Sequence, residues 1–394
     1  MKKIAFILGN NLGVSLAEVF SLLKKDDCQL VNQVAIFDLA ISENEISILM
    51  QKLGGCIKIG EVSFIASAQD LKIKLKKAVI EEFEKKNISS KFNFGFSSFD
   101  NFNFDYKKIA IEIKEDLKAR DASSRWVNLL TRATDSASSY HNKLISDRGV
   151  EFLLIKQGET YTAIKILELQ AFFDYSDRDY GRPKRDSFSG MLPPKLAKIM
   201  LNLGEFSPEK KLLDPFCGSG TIISEALLLG AKNIVGSDIS KKAISDTRDN
   251  IDWLSKKYNL AGFELKLIKH KVENISEFFE KNTFDTIITE PYLGPQRARV
   301  DYLQTKKELE CLYSQTLKEL FIILKPDEIL VIIWPVFSPE NNPIYLDIDL
   351  NKFKLITWDF LQKNKLSTFR KTLIYGRKNQ KAWREILILK KPKV

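Results

Sequence analysis

The sequence predicts an α/β protein built on a doubly wound, mostly parallel sheet, preceded by a separate α+β region. Three observations predict this. From Met191 onward, short apolar runs alternate with helix-like segments, the pattern of a sheet covered on both faces. Residues 212–221, Leu-Leu-Asp-Pro-Phe-Cys-Gly-Ser-Gly-Thr, read as a strand end, a tight glycine turn and a helix start. The last two strand-like runs, 368–377 and 382–389, meet at Lys378-Asn379-Gln380-Lys381 and form a closing antiparallel hairpin.

The elements follow in order. Residues 4–8 are strand-like. Residues 15–24 are helical, with Ser15 as N-cap and Glu18 three positions on, a capping-box spacing. Residues 34–37 are strand-like, and 43–53 and 71–86 are amphipathic helices flanking strand signals at 57–65. Residues 92–96 alternate, 106–119 are helical, and 151–155 and 161–169 pair as a hairpin across Gln157-Gly158. A polar connector, 174–189, carries Gly181 and Pro183 and precedes Gly190. Beyond it, helices at 194–203, 221–229, 241–254 and 305–324 alternate with strands at 211–213, 233–236, 264–268, 283–289 and 328–334. The expected divisions are 1–165, a linker 166–189, and 190–394.

Composition bounds the class. The chain has 394 residues, 44% hydrophobic and 28% charged, the make-up of a globular protein with a large core. Cys28, Cys56, Cys217 and Cys311 lack close spacing, and His141 and His270 are the only histidines. That argues against a zinc site and a disulfide framework, and for a reducing compartment without a metal. The opening apolar run is too short for a secretion signal, and no run reaches transmembrane length. A cytoplasmic protein without a membrane partner is expected; its oligomeric state is open, with a monomer favoured. The net charge is +10, and residues 351–394 hold thirteen Lys/Arg against Asp359 and Glu385, net +11. The other 350 residues sum to about −1. A basic end on a near-neutral body points to a polyanion, nucleic acid first; the plainer reading is a solvated lysine-rich hairpin.

Asp214 puts a carboxylate at the carboxyl end of a strand, where open α/β sheets bind ligands. It would repel a pyrophosphate. The segment is neither G-x-G-x-x-G nor a Walker loop. A carboxylate beside a glycine turn suits a cationic amino-acid head such as that of S-adenosylmethionine (SAM). Asp238 ends the next strand, placed to accept ribose hydroxyls. The plainer reading is an ordinary βαβ unit with two polar loop residues. The third strand runs into Thr289-Glu290-Pro291-Tyr292. Methylating an exocyclic amine requires acceptors that hold the NH2 and turn its lone pair toward the methyl group. Thr289 or Glu290 fits the acceptor role and Tyr292 the stacking role; the plainer reading is a strand stopped by Pro291.

Cys217 reads as a turn filler rather than a nucleophile, His141 and His270 as structural, and Trp253 as core. Arg178, Arg182, Lys184 and Arg185 suit either phosphates or a solvated linker.

These motifs resemble a class I SAM-dependent methyltransferase of Rossmann-like fold acting on an amino nitrogen. Residues 178–186 and 190–197 are similar to the connector and first helix of THUMP-containing tRNA guanine-N2 methyltransferases. Ile7-Leu8-Gly9-Asn10, Leu16-Ala17-Glu18, Phe94-Gly95-Phe96-Ser97, Ile113-Lys114 and Gly149-Val150-Glu151-Phe152 resemble that group's N-terminal, RNA-binding modules. The resemblance implies SAM as cofactor, tRNA as partner and the guanosine N2 amine, position 10 type, as target. It implies a cofactor set of Asp214, Phe216, Gly218, Gly220, Thr221, Asp238, Ile239 and Glu273. Within it Asp214, Gly218 and Gly220 would hold the methionine part, Asp238 the ribose, and Glu273 would sit near the adenine. The catalytic set would be Thr289, Glu290, Pro291 and Tyr292. The family motif is Asp/Asn-Pro-Pro-Tyr/Phe, so Thr289 stands at the acid or amide position and Glu290 replaces the first proline. Two other readings are a DNA amino-methyltransferase and a SAM- and RNA-binding protein with little or no catalysis.

Overall fold

A computed structural model describes residues 1–86, 91–100, 104–185, 191–295, 301–338, 340, 342–380 and 382–393. Asp186 to Gly190 of the connector, and Lys381 of the hairpin turn, lie outside the described residues. The chain forms two compact units. The first comprises residues 1–10, 28–51 and 56–172, and the second 11–27, 52–55 and 173–394. The second unit thus takes in the first helix and a short segment near residue 53, which the sequence division at 165 and 189 does not anticipate.

The chain begins with β1 (Lys2–Leu8) and α1 (Leu12–Leu23). The first unit continues with β2 (Gln29–Val31), β3 (Val34–Leu39), α2 (Glu43–Lys52), β4 (Cys56–Ser67), α3 (Ala68–Lys86), β5 (Phe92–Ser98), α4 (Tyr106–Lys118), β6 (Ser124–Leu129), α5 (Ser136–His141), β7 (Gly149–Gln157) and β8 (Thr160–Leu169). Its sheet order is β2-β3-β1-β4-β8-β7-β5-β6. β5 runs parallel to both its neighbours, whereas the other pairs are antiparallel. The alternation at 92–96 buries Phe92, Phe94 and Phe96 against Ile109 and Ile113 of α4. Lys58 and Glu151 form a fully buried ion pair at 2.6 Å, completed by Ser97 and Ser139.

In the second unit come α6 (Phe172–Tyr180), α7 (Pro194–Leu203), β9 (Lys211–Asp214), α8 (Thr221–Leu228), β10 (Asn233–Asp238), α9 (Lys241–Tyr258), β11 (Glu264–Lys269), β12 (Phe284–Thr289), α10 (Tyr302–Ile323) and β13 (Leu324–Phe337). β14 (Lys354–Leu355), α11 (Asp359–Lys363), β15 (Leu373–Tyr375) and β16 (Ala382–Lys390) close the chain. The sheet order is β11-β10-β9-β12-β13-β16-β14, with β15 also on β16. β11 through β13 are parallel, and β16 is antiparallel to β13. This is a Rossmann-like doubly wound sheet. Its central strands, buried on both faces, read as continuous apolar runs such as Phe284 to Thr289, because helices cover each side.

Two local expectations fail. Ser15 is no N-cap: α1 starts at Leu12 after Asn11, whose carbonyl accepts the Ser15 N–H, and Ser15 is buried inside the helix. The apolar Leu12 and Val14 extend the helical face one turn earlier. Glu18 therefore does not close a capping box. Wholly buried, it accepts the N–H groups of Gly54 and Gly55 at 2.8 Å each and the Asn202 amide at 2.6 Å. The connector is also no plain polar linker, since α6 occupies its first half.

Candidate functional site

The strand order reverses between β9, which is followed by β10 on one side, and β12 on the other. In such sheets the crossover helices leave in opposite directions at the switch point and open a crevice beyond the strands' carboxyl ends. Asp214 ends β9, Asp238 ends β10, and Glu290 follows β12. A cavity of about 540 Å³ lies there, lined among others by Asp214, Phe216, Gly218, Thr221, Asp238, Ile239, Glu273, Glu290, Pro291 and Tyr292. That size suits a small-molecule ligand.

The glycine turn has the conformation its residues foretell. Gly218 and Gly220 have φ of 54° and 81°, the left-handed region open chiefly to glycine. A Cβ at Gly220 would stand 2.8 Å from the Thr247 methyl. Gly220 therefore serves the turn and does not line the cavity. Asp238 grips the turn directly: its carboxylate accepts the N–H of Gly218 at 3.0 Å and of Ser240 at 2.8 Å. Asn250 holds the Ser219 carbonyl at 2.8 Å, and the Thr247 hydroxyl donates to the Gly218 carbonyl at 2.8 Å. Burial, with Asp214 and Asp238 close by, pushes the Cys217 thiol well above its usual range. It is a poor nucleophile, as a turn filler would be.

Asp214 is 1% exposed. Burial, partly opposed by hydrogen bonds from the Thr289 hydroxyl (2.9 Å) and the Phe216 N–H (3.3 Å), raises its pKa to about 7. Burial likewise raises Asp238. Thr289 is thus not an amine acceptor: fully buried, it spends its hydroxyl on Asp214 and does not line the cavity.

Glu290 does line the cavity. Arg384 of β16 donates from Nε to Glu290 Oε1 at 2.6 Å, and both side chains are mostly buried, at 14% and 11% exposure. Tyr292 is 52% exposed, its ring open for stacking, while its carbonyl accepts the buried Tyr313 hydroxyl at 2.7 Å. The acidic lining of Asp214, Asp238, Glu273 and Glu290 favours a cation over an anion.

The arginines before the cavity are structural. Arg178 pairs with the buried Glu225 of α8 through two hydrogen bonds, at 2.6 and 3.2 Å. Arg182 donates to the Thr221 hydroxyl at 2.7 Å. Neither is placed to grip phosphate; Arg178 ties α6 to the middle of α8, and Arg182 ties the segment after α6 to its start. Arg384, counted with the basic end, is likewise consumed internally, and Arg370 faces Glu385 at 3.6 Å. Sequence reasoning missed Arg384 altogether as a site residue, and His270, read as structural, lines the cavity. Leu192, Ser240, Asp246 and Leu312 also line it, and no motif announced them.

A family model described as a DNA methylase matches residues 12–249, more than half of the chain. Another, described as the methyltransferase domain of RMKL-like proteins, matches residues 182–336. The tRNA (guanine(10)-N2)-dimethyltransferase of Methanocaldococcus jannaschii is 30% identical over 199 residues, 48% of this chain and 49% of that protein. Its namesake from Methanothermobacter thermautotrophicus is 36% identical over 115 residues, 29% and 31% of the two chains. The chain thus spans about half or less of these curated relatives. In fold it is similar to TrmN from Thermus thermophilus, with a TM-score of 0.57 and 15% identity over 99% of this chain and 100% of that one. It is also similar to a possible methylase from Clostridium difficile, with a TM-score of 0.53 and 13% identity over 100% and 99%. The fold, the cavity at the switch point and these matches define the class: a protein of the methyltransferase fold with a ligand cavity at its switch point. By the extent of the match, the chain belongs to the family described as DNA methylase. Membership carries the fold and the cofactor, S-adenosyl-L-methionine; the molecule methylated is a separate question.

Proposed function

We propose that this chain transfers a methyl group from S-adenosyl-L-methionine to the exocyclic N2 amine of a guanine in tRNA. The observation that carries the reading is the single cavity in which Asp214, Asp238, Glu273 and Glu290-Pro291-Tyr292 converge. The donor set fits the cofactor. The glycine turn admits close backbone approach, the acids complement a cationic amino-acid head and ribose hydroxyls, and Ile239, Val272 and Leu312 offer apolar surface for a purine. Bound there, the cofactor supplies a methyl group on positively charged sulfur, which keeps the bonding pair when the methyl leaves.

In this reading Asp214 and the turn at Gly218 and Gly220 hold the methionine part, with Phe216 and Thr221 beside them. Asp238 holds the ribose, and Ile239 and Glu273 flank the base. Glu290 accepts an N–H of the target amine, turns its lone pair toward the methyl group and receives the proton the nitrogen releases. Tyr292 stacks on the extruded base. The similarity to proteins named tRNA (guanine(10)-N2)-dimethyltransferase supports guanine in tRNA as substrate. Exposed Lys352, Lys354, Lys363, Lys365, Lys371, Arg377 and Lys378 supply phosphate contacts, and residues 1–165, THUMP-like by resemblance, add RNA contacts.

The test is incubation with labelled cofactor and tRNA from a strain lacking the gene, followed by nucleoside mass spectrometry. N2-methylguanosine is expected; unmodified tRNA refutes the reading. The match to the model described as DNA methylase motivates a second reading, an amine of a DNA base. Label entering duplex DNA and not tRNA would establish it.

A further inference from the structure

Glu290 stands where the resembled motif carries a proline, and it has drawn a partner from two strands away. Arg384 lies on β16 opposite Pro335 of β13, and β13 lies beside β12. Its Nε holds Glu290 Oε1 at 2.6 Å, and its Nη2 lies 3.5 Å from the carbonyl of Met191, another cavity residue. Among the described residues, Glu290 Oε2 takes no hydrogen bond. The cavity therefore presents one oriented carboxylate oxygen with its rotamer locked by a charge-assisted bond.

We infer that the Glu290–Arg384 pair selects the base, accepting guanine and rejecting adenine and cytosine. The inference rests on the reading of the cavity as an amine-methylation site and deepens it. An ionised carboxylate only accepts hydrogen bonds. Guanine presents two adjacent donors on its pairing edge, N1–H and the N2 amine. Adenine and cytosine present a donor amine beside a ring nitrogen lone pair. That lone pair would face the carboxylate and repel it, and a buried mismatch of acceptors is costly. Arg384 fixes the rotamer: its planar guanidinium holds Oε1 and leaves Oε2 without a hydrogen bond among the described residues. Arg384 is a positioning residue, and Glu290 is the one that touches the base.

Calorimetry on the whole chain saturated with S-adenosylhomocysteine tests this, with GMP, AMP and CMP as probes. Wild type should bind GMP about 10-fold tighter than AMP or CMP, because each rejected base would set a lone pair against that oxygen where guanine sets a second donor. Glu290→Gln keeps the shape but adds a donor, so the preference should shrink to about 2-fold or less. Arg384→Gln should erode it similarly, and Arg384→Lys partly, since lysine keeps the charge without the planar fork. Melting curves of each variant show whether it folds. Equal binding of the three nucleotides by wild type, no measurable nucleotide binding, or an unchanged preference in folded Glu290→Gln overturns the inference. If S-adenosylhomocysteine binds and the preference is missing, only this inference fails. If S-adenosylhomocysteine does not bind, the proposed function fails and takes this inference with it.

Discussion

In the proposed site a buried acid meets a cation, which makes cofactor binding pH-dependent in a range where most carboxylates are silent. Asp214 titrates at about 7 instead of 3.8, chiefly because burial penalises its charge. Only the ionised form attracts a cationic head, so apparent affinity scales with the ionised fraction of the free protein. For a pKa near 7 that fraction is about 3% at about pH 5.5 and about half at about pH 7, a change on the order of 10-fold. An α-amino group stays protonated across this window, with its own pKa of about 7.7–8.0, so the ligand contributes little. Isothermal titration with SAM at both ends of the window is the assay. Affinity should rise about 10-fold with pH in wild type, and Asp214→Asn should bind weakly with a flat profile. His270 also lines the cavity but is not the group invoked. His270→Gln must therefore keep the slope. The nearby carboxylates of Asp238 and Glu290 also hold the Asp214 pKa up, in the same direction as burial. A flat wild-type profile, or a slope surviving in Asp214→Asn, refutes the reasoning. The same shift acts on folding with the opposite sign: a carboxyl whose pKa is raised on folding contributes stability at low pH that is lost as pH climbs from about 4 to about 7.

Thr289→Val keeps the volume and deletes the hydroxyl that Asp214 accepts at 2.9 Å. It should cost about 1–3 kcal/mol in urea unfolding at pH 8 and move the binding profile to higher pH; an unmoved profile would show that Thr289 does not tune Asp214. Gly220→Ala must hold φ of 81° with its Cβ 2.8 Å from the Thr247 methyl, whereas a Cβ at Gly218 meets only the Phe216 carbonyl oxygen, at an ordinary 4.0 Å. The first should lose more stability than the second, whose cost is the left-handed strain alone, about 1–2 kcal/mol; thermal melts giving equal losses would contradict this. Arg178→Met leaves Glu225 buried without its closest ion-pair partner, with Lys198 remaining at 3.8 Å. A loss of about 3 kcal/mol is expected, and a loss below about 1 kcal/mol would mean the pair does not anchor α8.

How far the site was legible depended on sequence separation. The strand, acid, glycine turn and helix at 212–221 are one contiguous unit, and each step has a local cause: burial for the strand, positive φ for the glycines. So the positions of Asp214, Asp238 and Glu290 at three strand ends were readable, and so was the sheet they share. What a side chain does at such a position is decided by partners far along the chain, and there local reading failed. Thr289 looked like an acceptor because its hydroxyl can be one, but Asp214, 75 residues away, needs a donor more. Arg178 and Arg182 looked like phosphate ligands because they sit in a polar stretch; Glu225 and Thr221 take them inward. Charge counting erred for the same reason, since it cannot tell Arg384, paired at 2.6 Å with a residue 94 positions away, from the exposed Lys378. The helix cap shows the local limit: Ser15 and Glu18 have capping-box spacing, but Glu18 is buried and claimed by Gly54, Gly55 and Asn202. The most informative single residue was the one that broke the motif. Glu290, mostly buried beside the cavity, needs a counter-ion, and the one it takes, Arg384, lies 94 positions away and was missed by local reading.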